Sequence, residues 1–142
     1  MKKHNLLIHI IPTLENGGAE TVLARLVEEF YKIKIKQYIF TITGSNSDFH
    51  YEKIKPFCEI IHLKKNKKRA FQILKSNQNS TLIGWMYRSF FLVYSYKVKF
   101  NLSNPIFWNV RNSNFRFSQF YQKIGLLFFG VLSKFLNPRI IY

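Results

Sequence analysis

Leu6-Leu7-Ile8-His9-Ile10-Ile11, Pro12-Thr13-Leu14-Glu15-Asn16 and Gly17-Gly18-Ala19-Glu20 follow one another near the start of the chain, and their order decides the fold. The first run is continuously apolar but for one His and rich in β-branched Ile, the pattern of a strand buried on both faces. Pro12 ends it, and the segment up to Gly18 reads as a loop. From Ala19 the apolar positions are Ala19, Val22, Leu23, Leu26, Val27 and Phe30. Spaced three and four apart, they seal one face of a helix and leave Arg25, Glu28 and Glu29 off it.

The same alternation continues. Residues 38–43 read as a second strand, 44–48 as a loop and 59–63 as a short third strand. The basic run 64–69 reads as a solvated loop, followed by a helix through Phe71, Ile73 and Leu74. Residues 81–85 form a strand, 88–100 a helix, 106–110 a strand opened by Pro105, and 117–136 a long apolar helix. Residues 140–142 begin another strand. The expected class is α/β, a Rossmann-like, doubly wound parallel sheet with helices on both faces. Because the last residues have the look of a strand just started, the chain is expected to be a first half rather than a whole protein.

The chain has 142 residues, 47% hydrophobic and 18% aromatic, which suits one domain spanning residues 1–142. Its net charge is +15, very unevenly placed. All seven acidic residues fall within residues 1–59, whereas residues 60–142 hold fourteen Lys and Arg and no carboxylate side chain. A carboxylate pair for glycoside hydrolysis, an acidic Mg²⁺ cage or the Asp of a Ser-His-Asp triad therefore cannot come from the second part. A single Cys58 permits no internal disulfide and, without clustered His, no zinc site; no metal is expected. A reducing, cytoplasmic compartment fits, since the first apolar run is too short for a signal-peptide core. The longest greasy stretch, 124–133, is ten residues fenced by Lys123 and Lys134. A spanning helix needs about 20.

In an open parallel sheet, ligands gather beyond the carboxyl ends of the strands. After the first strand, Gly17 and Gly18 at a helix start either let a backbone approach a phosphate closely or make a plain β-to-α turn needing a positive φ. After the fourth comes Trp85-Met86-Tyr87-Arg88, and after the fifth Asn109-Val110-Arg111-Asn112-Ser113-Asn114. Arg88 or Arg111 could clamp a phosphate, and Asn112 and Ser113 could read sugar hydroxyls. Trp85 either stacks on a sugar face or is a core aromatic. His9, inside the first strand, reads as a hydrogen-bonded core residue, and His50 and His62 as loop or strand-end positions without partners. The stripe Phe120, Ile124, Phe128, Val131, Phe135 leaves a surplus of apolar side chains for a partner domain or a membrane to cover.

Taken in register, Leu7 to Leu14, then Gly17-Gly18-Ala19-Glu20, then Gly84-Trp85-Met86-Tyr87, then Ile106 to Asn114 resemble the amino-terminal domain of GT4-type glycosyltransferases. The resemblance covers essentially the whole chain. It implies the first half of a GT-B fold, in which two Rossmann-like domains face across a cleft and move a sugar from a nucleotide-sugar donor to a glycan or lipid-linked acceptor, usually with retention. On that likeness Gly17 and Gly18 approach the donor diphosphate, while Trp85, Arg88, Arg111, Asn112 and Ser113 line the acceptor side. No cofactor is implied beyond the nucleotide-sugar as co-substrate, and no catalytic residue can be assigned. Relatives often carry His where Arg88 and Arg111 stand, and Arg cannot act as a base. Thr21 replaces the basic residue that often follows this Gly-Gly-Ala-Glu signature. The domain that holds the nucleotide in such enzymes is not in this sequence and would be a missing carboxyl-terminal domain or a separate chain. Isolated, the chain is then expected to be inactive.

A rival from another class is a non-catalytic basic module. Its partner would be an anionic membrane, with the protein peripheral on the cytoplasmic face, or nucleic acid. The latter is the less expected, because the run 64–69 lacks interleaved aromatics.

Overall fold

The computed structural model describes residues 6–103, residues 105–109, Val131 and the backbone of Arg139–Ile141. Along them run β1 (Leu6–Ile11), α1 (Gly18–Lys32), β2 (Lys36–Thr41), α2 (Tyr51–Ile54), β3 (Glu59–His62), α3 (Leu63–Ser76), β4 (Thr81–Trp85), α4 (Met86–Phe100), β5 (Ile106–Asn109) and β6 (Arg139–Ile141). The strands form one sheet in the order β3-β2-β1-β4-β5-β6, and each neighbouring pair is parallel. That order is the Rossmann-like, doubly wound one, with its reversal between β1 and β4.

The apolar run at the start of the chain is continuous because β1 is central and covered twice. Ile8 and Ile10 join Leu82, Phe40 and Trp108 in the core beneath α3 and α4, which contribute Leu63, Ala70, Ile73, Leu74, Phe90, Val93 and Tyr96 to it. Ile11 joins Ile39 and Trp85 in the other core, beneath α1 and α2, with Leu23, Ala24, Val27 and Ile54. Alternate side chains of a strand point to opposite faces, so both faces of β1 are buried, and its one polar side chain, His9, is buried with them. Gly84 lets α4 sit directly on β4, since a Cβ there would lie 2.9 Å from Phe90 Cδ1. Phe90 in turn stacks on Trp108, with ring centroids 5.0 Å apart.

Helix α1 stops in a paired-bond turn: Ile35 N–H reaches the Phe30 carbonyl and Lys34 N–H the Tyr31 carbonyl, both at 2.9 Å, with Lys34 at φ 59°. α4 ends alike at Asn101, φ 46°, where Leu102 N–H bonds the Lys97 carbonyl at 3.0 Å. This is the Schellman arrangement, which satisfies carbonyls left over at a helix end.

Several boundaries differ from the sequence expectation. β2 begins two residues before residue 38, since Lys36 and Gln37 pair with Leu6 and Leu7, and it ends at Thr41. Residues 64–69 are helical, not a loop: buried Leu63 opens α3, and the run is bent at Asn66, φ −125° and ψ 41°. α2 is a single turn that periodicity does not reveal. α4 starts at Met86, and β6 takes in Arg139. Val110, the expected helix 117–136 apart from Val131, and Tyr142 lie outside the described residues.

Candidate functional site

Because β1 and β4 are adjacent and parallel, with Ile10 beside Gly84, the chain leaves the sheet at Pro12 and at Met86 along the same edge. It then departs to opposite faces, toward α1 and toward α4. A crevice at such a divergence is where open α/β sheets hold ligands.

On the β1 side, Gly17 is the N-cap of α1, with φ −133° and ψ 167° and no side-chain capping bond. Neither Gly17 nor Gly18 has a positive φ, so the turn does not need glycine for its dihedral angles. The two differ in their surroundings. A Cβ on Gly17 would run into the Glu20 carboxylate, whose Cδ is at 3.0 Å, whereas a Cβ on Gly18 would meet nothing within 4 Å. Glu20 is only 7% exposed and makes no hydrogen bond or ion pair among the described residues. Its carboxylate thus stands at the positive end of the α1 dipole.

The loop is latched by residues 45–50. Leu14 N–H donates to Asp48 Oδ2 at 2.8 Å, and His50 N–H donates to the Leu14 carbonyl at 2.9 Å. Asp48 Oδ1 accepts from Ser45 N–H and Ser45 Oγ. The Thr21 hydroxyl donates to the Gly17 carbonyl at 2.8 Å, which leaves its oxygen to accept from His50 Nε2–H at 3.2 Å. Burial, then Lys53, lowers the His50 pKa, with Glu20 opposing.

On the β4 side, Trp85 is 1% exposed and its indole N–H donates to His9 Nδ1 at 3.2 Å. The ring is turned into the α1 core, so it offers no face on which a sugar could stack, and the acceptor-lining expectation for Trp85 is corrected to a core role. Next comes Met86, an exposed residue at φ 66°. That region is costly for a side chain with a Cβ, and the strain is held at the sheet edge. Arg88 is exposed in the first turn of α4, which has no acidic residue and no capping side chain. Among the described residues, buried Ser89 Oγ, in the same turn, and buried Asn109 Oδ1, at the end of β5 opposite Trp85, find no hydrogen-bond partner.

The fold therefore brings Gly17, Gly18 and Arg88 to one edge and withdraws Trp85. Arg111, Asn112 and Ser113 lie outside the described residues. Glu20, Thr21 and His50 form a group that no local sequence pattern announces, and His50 and His62, expected without partners, both have them. His62 accepts from the Thr41 hydroxyl at Nδ1, 2.7 Å, donates from Nε2 to Asn46 Oδ1, 2.6 Å, and stacks on Tyr51. The one available signal was the Ser45-x-x-Asp48 spacing, which favours a local side-chain turn. Among the described residues no three His, Cys, Asp or Glu side chains converge as metal ligands would, and no helix is long and apolar enough to cross a membrane. Burial pushes the Cys58 thiol up to about 12, so it is not a nucleophile near neutrality. No protein-family model matches the chain, and neither a curated protein nor a solved structure matches it.

Proposed function

We propose that the chain is the acceptor-side, amino-terminal domain of a GT4-type glycosyltransferase, working on the cytoplasmic face of a membrane. The observation that supports this most directly is the open backbone at Gly18. It lies in the first turn of α1, beside the reversal of strand order, with room for a phosphate where the helix has unpaired N–H groups. Those donors would hold the diphosphate of a nucleotide-sugar and stabilise the charge that grows on it as the sugar leaves. Arg88 on the same edge adds a fixed cation but no base. Residues 60–142 carry no carboxylate side chain, so a carboxylate to take the acceptor's proton would come from residues 1–59 or from a second domain that holds the nucleotide. What this domain contributes is position, which the closed cleft turns into rate.

The test is to titrate inorganic pyrophosphate and a nucleoside diphosphate into the ¹⁵N-labelled chain. Amide shifts are expected at Gly17, Gly18 and Ala19, and Gly18→Val should remove them without changing the circular dichroism. The chain incubated alone with nucleotide-sugars and lipid or glycan acceptors should transfer nothing. Undisturbed Gly17 to Ala19 amides at saturating ligand would overturn the assignment of this loop.

A further inference from the structure

α3 and α4 lie on the same face of the sheet and share one core. Residues 63–100, which span both helices and β4, hold nine Lys and Arg and no Asp or Glu. Burial of Leu63, Ala70, Ile73 and Leu74 fixes the rest of α3 outward, so Lys64, Lys65, Lys67, Lys68, Arg69 and Lys75 are all exposed. Arg69 reaches Glu59 at 3.5 Å.

The seam between the helices is aromatic. Phe71 packs on Tyr96 and Phe100, with centroids 5.2 and 4.7 Å away. Lys67 lies over Phe71 at 5.6 Å, and Lys75 and Lys99 lie over Phe100 at 5.6 and 5.8 Å. Lysines so placed lay their stems along apolar rings and keep the ammonium at the surface. On α4, Phe91 and Val98 are 54% and 62% exposed. Seven residues apart, they share one stripe about 10 Å long, with Arg88 one turn before Phe91.

We infer that this α3–α4 face docks on an anionic lipid bilayer, the lysines at headgroup level and Phe91 and Val98 entering the interface. Charge complementarity selects an anionic partner. The exposed apolar pair favours a bilayer over nucleic acid, because a Val side chain enters an acyl boundary but cannot serve as a stacking platform for bases. Docking does not depend on sugar transfer. It would, however, set the edge carrying Arg88 and the start of α3 near the lipid surface.

The experiment is flotation of the whole chain with vesicles of phosphatidylcholine, with and without phosphatidylglycerol. Binding is expected only with phosphatidylglycerol and should fall steeply between physiological salt and 1 M, as the Debye length drops from about 8 to about 3 Å. Replacing Lys64, Lys65, Lys67 and Lys68 by Gln should weaken it at least about tenfold, since each Lys at such a surface is worth roughly fivefold. Replacing the same four by Arg should preserve it. A control of equal charge, Lys32, Lys34, Lys53 and Lys55 to Gln on the α1–α2 side, should change it less than about twofold. Phe91→Ser with Val98→Ser should lower affinity and leave only binding that salt removes. Circular dichroism checks that each variant is folded. Equal losses in the two Gln sets, equal binding to both vesicle types, no flotation, or tighter binding to an oligonucleotide than to phosphatidylglycerol vesicles of matched charge would each overturn the proposal.

Discussion

The indole N–H of Trp85 donates to His9 Nδ1, so the histidine keeps its proton on Nε2, facing Gln37 Oε1 at 3.3 Å. Gln37 Nε2 in turn donates to the Val27 carbonyl at 2.9 Å. A polar chain thus crosses from β4 through β1 and β2 to α1 inside an apolar core. Each buried group in it has a partner, which is what makes such burial tolerable.

The first prediction concerns acid stability. Desolvation lowers the His9 pKa to about 4, with the Gln37 bond opposing. The folded pKa lies below the unfolded value of 6.5, so between the two the unfolded chain binds more protons. Stability is then complete above about pH 6.5 and is lost as pH falls toward 4, by about 3 kcal/mol from this group. His50 and His62, also lowered by burial, act in the same direction. Urea midpoints measured from neutral pH downward should fall accordingly, and His9→Leu should flatten the slope while weakening the protein at neutral pH. A midpoint independent of pH would contradict the buried neutral imidazole.

The second prediction separates the two glycines. Gly18→Ala should alter stability by less than about 0.5 kcal/mol, because its Cβ enters open space. Gly17→Ala must displace the Glu20 carboxylate and should cost more. Glu20→Gln keeps the shape but removes a negative charge from the helix end, so pyrophosphate affinity should rise about two- to fivefold. Calorimetry would show this, and weaker binding in Glu20→Gln would place the anion elsewhere.

A third prediction uses backbone strain away from the site. Lys34 holds φ 59° at the end of α1, where glycine costs nothing sterically. Lys34→Gly should stabilise the protein by about 0.5–1 kcal/mol, seen as a higher thermal midpoint. An unchanged or lower midpoint would argue against this turn.

The candidate site was legible in unequal measure. Gly17 and Gly18 could be placed at a helix start because a strand, a break and a sealed helix face are local patterns. That Gly18 is open while Gly17 is covered follows from the reach of the Glu20 side chain, and sequence spacing does not record that direction. The basic run 64–69 is helical rather than a loop for a related reason. Its own residues look solvated and they are, but Leu63 on one side and Ala70, Ile73 and Leu74 on the other bury a helix face that carries the lysines with it.

The sequence by itself determined the α/β alternation, the central place of a first strand apolar but for His9 and the separation of charge that leaves residues 60–142 without a carboxylate side chain. Each rests on composition or on neighbours within a few positions. Only the tertiary structure decided that Trp85 turns into the core, that His50 and His62 have partners, and which side of the sheet carries the lysines. Those outcomes depend on contacts such as His9 with Gln37, 28 residues apart, and with Trp85, 76 apart. No local pattern in the chain encodes such a pairing, because it exists only once the strands have taken their order in the sheet.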